Sequence, residues 1–352
     1  MSPRLTLLCP TYNRRLFVKR SAKFWCNRDV NVIYADGSEA ACSSACLNAQ
    51  NISYLHYPAG LQLRLLAMLA EVRTPYVCMI GDDEFFIPSA LQACVDYLES
   101  NADYMACMGR AIGFSKFKRE VALGQKYPRL QGRNLSDNTA LNRLEKHFSA
   151  YVPAHCYAVT RADVFRSSME AALSVELDIF AIFELVEEFL VVAAGKSIVL
   201  PTLYWLRSHE APPIRNTGDL SLDPSKRFSH WWQNEKALTV KKDFCQYLSD
   251  SSCGSVNAVE VEQVLNFYVD HAYGQAAGKS SSLSYRFKQT LPESLKKPLR
   301  AVQARAGMLV NHLGNPAVQN KAALQELRDQ GVMIDEDGLA ECLASIKESW
   351  RI

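Results

Sequence analysis

Short apolar runs and helix-like periodicities alternate along the first hundred residues. Four apolar runs end in polar or turn residues and predict buried strands, at residues 5–9, 30–35, 52–57 and 76–81. The segments between and after them repeat apolar residues at helical spacing and predict helices, at residues 15–25, 61–72 and 89–98. Pro88 precedes Ser89, which predicts an N-cap at Ser89. This alternation is typical of a doubly wound α/β unit with a mostly parallel sheet flanked by helices.

The pattern after residue 100 predicts a less regular region and then a mostly helical one. Residues 104–160 contain one predicted helix at 139–148 and one strand at 156–159, followed by helices at 161–173 and 177–194 and a strand at 198–205. A connector rich in Pro, Gly, Ser and Asp follows His209, and beyond residue 228 the pattern is helical, with turns predicted near Gly254, Gly278 and Gly314. We therefore predict an α/β domain in residues 1–210 and a mostly helical region in residues 211–352.

Three polar loops follow predicted strands of the first domain. They contain Thr11-Tyr12-Asn13, Asp36-Gly37-Ser38 and Asp82-Asp83-Glu84. Ligands of doubly wound sheets bind beyond the carboxyl ends of the strands, so we expect these loops to share one edge. Neither GxGxxG nor GxxxxGK[ST] occurs in the chain, which argues against a Rossmann dehydrogenase and a P-loop enzyme.

The three consecutive acids require a positive partner. Neighbouring carboxylates repel one another, and each costs several kcal/mol to desolvate when it is unpaired. A divalent cation such as Mg²⁺ or Mn²⁺, which binds carboxylates together with phosphate oxygens, would supply that charge. The alternative is a cluster that interacts with the dipole of the following helix, which explains one acid better than three.

Charge and cysteine usage are typical of a folded cytosolic protein. The net charge of +2 gives no overall indication of nucleic-acid binding. The eleven cysteines include no CxxC pair, which favours reduced thiols. The N-terminal apolar run is too short for a signal peptide, and four charged residues make segment 179–200 a poor membrane span. We expect a cytoplasmic location.

One basic amphipathic segment leaves peripheral membrane binding open. Residues 285–313 combine leucines with six Lys and Arg side chains, a pattern that suits an anionic membrane surface on the inner face of the cell membrane. A packing helix with a solvated basic face is the competing interpretation.

Several stretches, in order, resemble the family 2 glycosyltransferases with the GT-A fold, in particular a bacterial subgroup with an acidic DDxF-type loop. These stretches are TLLCPTYNR, VIYADGSE, GLQLRLLAMLAEVRTPYVCMIGDDEF, EEFLVVAAGK and YWLRSHE. The resemblance implies a metal-dependent, inverting transferase that uses Mn²⁺ or Mg²⁺. It would move a hexosyl or N-acetylhexosaminyl group from a nucleotide diphosphate, expected to be a UDP-sugar, to a glycan, lipid-linked or protein acceptor in bacterial surface polysaccharide or glycoconjugate synthesis.

The resemblance also implies roles for individual residues. It assigns nucleotide binding to Thr11, Tyr12, Asp36, Arg64 and Asp82, metal binding to Asp83, Glu84 and His209, and diphosphate binding to Arg207. DxD spacing would pair Asp82 with Glu84, whereas adjacency favours Asp83 as the metal ligand. The catalytic base is assigned to Glu188, followed by Glu187 and then Glu184.

Other interpretations remain open at this point. Glu187 and Glu188 also fit a solvated helix stripe, and His209 also fits a structural role. The whole chain could instead be a non-catalytic nucleotide-sugar-binding or assembly protein, and a homo-oligomer is not excluded. A nucleotidyltransferase would need a glycine-rich basic loop after the first strand, which residues 10–15 lack.

Overall fold

The computed structural model describes residues 3–175, 180–210, 228–233, 238–280 and 316–351. The strands, in chain order, are β1 Leu5–Thr11, β2 Asn31–Asp36, β3 Ile52–His56, β4 Tyr76–Met79, β5 Phe85–Phe86, β6 Tyr104–Phe117, β7 Glu120–Gln125, β8 Asn134–Leu135, β9 Val159–Arg161 and β10 Lys196–Ser208. The helices are α1 Arg15–Trp25, α2 Leu61–Glu71, α3 Pro88–Ser100, α4 Ala140–Ser149, α5 Ala162–Ser174, α6 Phe180–Ala194, α7 Phe228–Trp232, α8 Leu238–Ser251, α9 Ala258–Ser280, α10 Pro316–Asp329 and α11 Glu336–Glu348.

The strands form one sheet of ten strands in the order β3-β2-β1-β4-β9-β6-β10-β5, with β7 paired to β6 and β8 to β10. β3, β2, β1 and β4 are parallel, as are β6 and β10, while the short strands β5, β8 and β9 pair antiparallel. The predicted α/β class, with helices on both faces of the sheet, is confirmed. The carboxyl ends of β1, β2 and β4 meet at one edge, which brings the three polar loops together.

Helices cover both faces of the sheet and create two apolar layers. α1, α3 and α11 contribute to one layer, around Trp25 and Leu91, whereas α2, α5, α6, α8 and α9 build the other, around Phe165 and Phe189. Leu339 of α11 and further apolar side chains of α8 and α9 are therefore part of these cores. The boundary near residue 210 stays a prediction.

Two local predictions were wrong. The first helix turn of α3 begins at Pro88 after Ile87, and the Ser89 hydroxyl donates to Asp335 at the start of α11. β6 and β7 form a long hairpin in a region predicted to be irregular. The predicted turn at Gly254 is present with φ +74°, and α9 extends through Gly278 to Ser280, where this described range ends.

Three predicted features fall on residues that the structure does not describe. These are most of the connector after residue 210, the basic segment 285–313 and the turn near Gly314. Among the described helices, none combines the length and the apolar character that a bilayer crossing requires.

Candidate active site

A cleft opens at the carboxyl edge of the sheet and collects nearly all of the predicted site residues. The acidic and basic side chains and the loop residues that line it include Thr11, Tyr12, Arg14, Arg64, Asp82, Asp83, Glu84, Glu184, Glu187, Glu188 and Arg207. Of the residues assigned from the sequence, Asp36 and His209 do not line this cleft. The β1 loop, the acidic residues and helix α6 thus line one cavity, whereas the Asp36 loop, predicted to share this edge, lies outside the lining.

Arg14 provides the positive partner that the consecutive acids require. Its Nη1 donates to Asp82 Oδ1 at 2.9 Å and lies 3.4 Å from Asp83 Oδ2. The Thr11 hydroxyl donates to the other oxygen of Asp82 at 2.6 Å. Burial raises the pKa of Asp82 to about 6, against the opposing effect of Arg14. The sequence analysis assigned no role to Arg14.

A left-handed residue brings Arg14 to the acids. Asn13 has φ 57°, a conformation that Asn adopts more readily than most residues, and its N–H donates to the Ser38 hydroxyl at 2.8 Å. The chain therefore turns sharply after β1 and starts α1 at once. Arg14 is the N-cap residue of α1 but makes no side-chain cap, so its guanidinium is directed to the carboxylates instead.

Glu84 borders the cleft, but its carboxylate is paired inside the protein. Its carboxylate pairs with Arg207 and accepts from the Trp205 indole N–H at 2.8 Å, and its side chain is fully buried. Gly81 is required here, because a Cβ at that position would lie 2.9 Å from the Glu84 side chain. The side chain of Asp83 is 12% exposed against 4% for Asp82 and 0% for Glu84. Asp83 is therefore the acid most open to a ligand.

Asp36 and Arg64, which were assigned to nucleotide binding, make hydrogen bonds within the loops. Asp36 accepts from the N–H and the hydroxyl of Ser38 and from the Tyr54 hydroxyl, the last at 2.7 Å. Arg64 donates to the carbonyl oxygens of Thr11 and Ala35, at 2.6 and 3.3 Å. These bonds fix the loops after β1 and β2. Arg64 still borders the cleft, whereas the Asp36 carboxylate is enclosed.

His209 does not join the acids. Its backbone N–H donates to Phe114 O at 2.9 Å, and its ring packs against Gly113 of β6. Burial and the neighbouring cations Lys126 and Arg207 lower the pKa of His209. Within the described ranges, Asp83, Glu84 and His209 do not bring three ligand atoms together.

The acids of α6 form the opposite wall of the cleft, and their surroundings differ. Glu188 Oε1 accepts from the His155 N–H at 3.1 Å and Oε2 contacts His147 Nε2 at 3.0 Å. Neither oxygen of Glu187 has a hydrogen-bond partner among the described residues, and burial raises the pKa of Glu187 to about 8. Glu184 is only partly buried, and desolvation raises its pKa to about 7.

His147, His155 and Glu188 are close enough to resemble a metal centre. Arg133 Nη2 donates to His147 Nδ1 at 2.8 Å, so the neutral ring must carry its proton on Nε2 and donate to Glu188. Burial lowers the pKa of both histidines, which keeps them neutral. With a guanidinium in the cluster and His147 bonded through both nitrogens, we interpret it as a network that holds α6 against α4.

Comparison with known proteins identifies the domain. Residues 6–168 match the family model described as glycosyl transferase family 2. The crystal structure of S. aureus TarS 1-349 matches with a TM-score of 0.51 at 12% identity, covering 100% of this chain and 91% of that chain. The structure of TarS 1-349 in complex with UDP-GlcNAc matches with 0.52 at 12%, covering 100% and 92%.

Likeness at this level of identity shows the fold alone, and no curated protein sequence matches the chain. The family match, by contrast, covers the β1 loop, the acidic residues and the strands between them. Residues 6–168 therefore match glycosyl transferase family 2 across the β1 loop and the acidic residues, and the chain has the GT-A fold.

Proposed function

We propose that this chain transfers a sugar, with inversion, from a nucleotide diphosphate to an acceptor hydroxyl. One observation carries the proposal: the β1 loop, the acids after β4 and the acids of α6 line one cleft. A UDP-sugar is the proposed donor, since a structural relative is described with UDP-GlcNAc. Tyr12, half-buried at this cleft, offers an aromatic face for the base.

Asp82 and Asp83 fit a divalent cation. Oxygens of both carboxylates lie within 3.4 Å of a single nitrogen, Arg14 Nη1, which stands in for a cation between them. Mg²⁺ or Mn²⁺ typically uses one or two carboxylates together with phosphate oxygens. When bound, such an ion offsets the charge of the departing nucleotide diphosphate. Arg207, fixed by Glu84 on the same wall, adds a permanent positive charge.

Glu184 is the proposed general base, in place of Glu188. A base must reach the acceptor hydroxyl, and its pKa works best near the operating pH. Glu184 borders the cleft, remains partly accessible and has a pKa raised to about 7 by burial. The oxygens of Glu188 are already bonded to His147 and His155, so we assign Glu188 to positioning α6.

The cellular role is proposed on the family resemblance. Bacterial surface polysaccharide or glycoconjugate synthesis supplies acceptors of the required type, namely glycan, lipid-linked or protein hydroxyls. A cytoplasmic protein that contacts the inner face of the membrane would fit such acceptors.

The test is a thermal-shift screen of nucleotide sugars with and without Mn²⁺, followed by assays of donor hydrolysis and transfer. A ligand at 100 times its Kd stabilises a protein by about 2.7 kcal/mol, which is readily measured. We expect one nucleotide sugar to stabilise the protein most when Mn²⁺ is present and to be slowly hydrolysed. NMR of the transferred sugar should show the inverted anomer. Binding without hydrolysis or transfer would favour the non-catalytic alternative.

A further inference from the structure

Arg14 occupies the position at which a cation would contact Asp82 and Asp83. Its Nη1 lies 2.9 Å from Asp82 Oδ1 and 3.4 Å from Asp83 Oδ2, so a single positive atom already bridges the pair. The Arg14 side chain is 16% exposed and borders the cleft. A guanidinium and a metal ion cannot both occupy this position.

We propose that Arg14 is a gate on the cation site. It neutralises Asp82 and Asp83 before the divalent ion arrives, must leave the pair for the ion to bind, and then pairs with the diphosphate of the donor. This inference rests on the proposed function, since it takes Asp82 and Asp83 as the metal-binding pair. In this proposal Arg14 competes with the metal ion for the two carboxylates. Its movement to the diphosphate couples metal binding to nucleotide binding.

Hydrogen bonds fix the backbone on both sides of Arg14. The Asn13 N–H bond to Ser38 fixes one side, and the Val18 N–H donates to Arg14 O at 3.1 Å on the other. The guanidinium carbon lies 5.6 Å from the centre of the Phe17 ring, an aromatic face that the cation can contact. Moving the side chain therefore requires new rotamers and the loss of its contacts with the two carboxylates, while the backbone stays in place.

Arg20, by contrast, makes contacts that only support the loop. Arg20 donates to the backbone carbonyl of Asp83 at 3.0 Å and to Glu210 at 2.7 Å, with its side chain 3% exposed. Arg20 shapes the loop without touching the Asp82 or Asp83 carboxylates. Arg14 does the opposite, because it contacts those carboxylates and faces the cleft.

Removal of the Arg14 charge should expose two closely spaced, poorly solvated carboxylates to the cation. Because like and opposite charges interact strongly at this distance in a partly buried site, we expect Arg14→Gln to bind Mn²⁺ at least about tenfold more tightly than wild type. Arg14→Lys keeps a cation within reach and should stay near the wild-type affinity. Arg15→Gln is the matched control, since Arg15 donates to Ala40 O and carries the same charge change outside the acid pair.

The experiment is titration of Mn²⁺ in the absence of nucleotide, by calorimetry and by the loss of the free-ion EPR signal. Circular dichroism and thermal unfolding confirm that each variant is folded. Tighter binding by Arg14→Gln alone supports the gate. Equal or weaker binding by Arg14→Gln, with normal binding by wild type, overturns the gate and leaves the proposed function intact.

The same titration with UDP present tests the coupling. In wild type the diphosphate should draw Arg14 away and strengthen Mn²⁺ binding, and by linkage Mn²⁺ should strengthen UDP binding by the same factor. That factor should be smaller in Arg14→Gln and preserved in Arg15→Gln. If UDP binds but no variant binds Mn²⁺ with or without it, both the gate and the metal-dependent mechanism fail, and Arg14 would be a permanent replacement for the ion.

Discussion

The loop after β4 and helix α6 each bring acidic side chains to the same cleft, in different surroundings. We call Asp82, Asp83 and Glu84 the acidic loop, and Glu184, Glu187 and Glu188 the helix acids. The acidic loop is paired with Arg14 and Arg207. The helix acids lie in an apolar helix, where burial raises the pKa of Glu184 to about 7 and of Glu187 to about 8.

This difference separates two chemical tasks. Carboxylates that lie against positively charged side chains suit a site for a cation and a diphosphate. Carboxylates whose pKa lies near neutrality suit proton transfer. One side of the cleft would therefore stabilise the leaving group, while the other would deprotonate the acceptor.

The largest expected effect comes from the acidic loop. Asp83→Asn keeps the shape of the side chain but removes the charge that is most open to the cleft. We expect transfer to fall by about 1,000-fold, since the charge stabilisation supplied by a metal ion amounts to several kcal/mol. Mn²⁺-dependent binding of the donor should weaken in calorimetry. Asp103→Asn, at an exposed surface ion pair with Lys196, is the control and should change neither. Full activity of Asp83→Asn would remove the acidic loop from the mechanism.

Next in size is the effect of replacing the proposed base. Glu184→Gln should lower kcat by about 100-fold or more while donor affinity is kept, because a positioned base contributes roughly that factor. The wild-type rate should rise with pH through about 7, as Glu184 loses its proton, and the variant should lack this rise. A variant Glu188→Gln that folds normally but loses transfer, beside an active Glu184→Gln, would return the base to Glu188.

A smaller effect should appear in stability. The pKa of Glu187 is raised from 4.5 to about 8 in the folded protein, so the folded state retains a proton that the unfolded state loses. Stability should therefore fall as pH rises from about 4.5 to about 8, by up to a few kcal/mol. Glu187→Gln, which mimics the protonated form, should flatten this dependence in urea unfolding. An unchanged slope would mean that Glu187 is solvated or paired.

The smallest expected effect tests the hydrogen bonds that connect Trp350 to the acidic loop. The Trp350 indole N–H donates to Glu210, which in turn accepts from Arg20, the donor to Asp83 O. Trp350→Phe keeps the ring but removes this donor, so we expect unfolding to become easier by about 1 kcal/mol. Mn²⁺ affinity should weaken by less than tenfold. If Trp350→Phe weakened Mn²⁺ binding as much as Asp83→Asn does, the C-terminal helices would belong to the site itself.

Local patterns were sufficient to predict much of the fold. β1, α1, β2 and α2 follow from short-range apolar periodicity and lie within a few residues of their predicted bounds. The β6–β7 hairpin was missed because its two-residue turn uses Lys118 at φ 55°, where Gly or Asn would have given a signal.

The site was predictable as a set of residues but not in its internal pairing. The order of the loops identified the acids, and the structure brings them to one cleft. The partners of Glu84 and Glu188 come from β10, α4 and the segment near His155, far away in sequence. Those contacts determine which acidic side chains are enclosed and which remain open to the cleft. The role of Arg14 could have been suspected from Asn13, whose left-handed preference allows the turn.

The most direct test compares binding of the donor to three proteins by calorimetry with Mn²⁺ present. We predict that wild type and Glu184→Gln bind the same UDP-sugar with equal affinity, whereas Asp83→Asn binds it at least tenfold more weakly. Transfer assays on the same samples should show activity in wild type only. Equal binding by all three, or loss of binding in Glu184→Gln alone, would contradict the division of the cleft into a leaving-group side and a proton-transfer side.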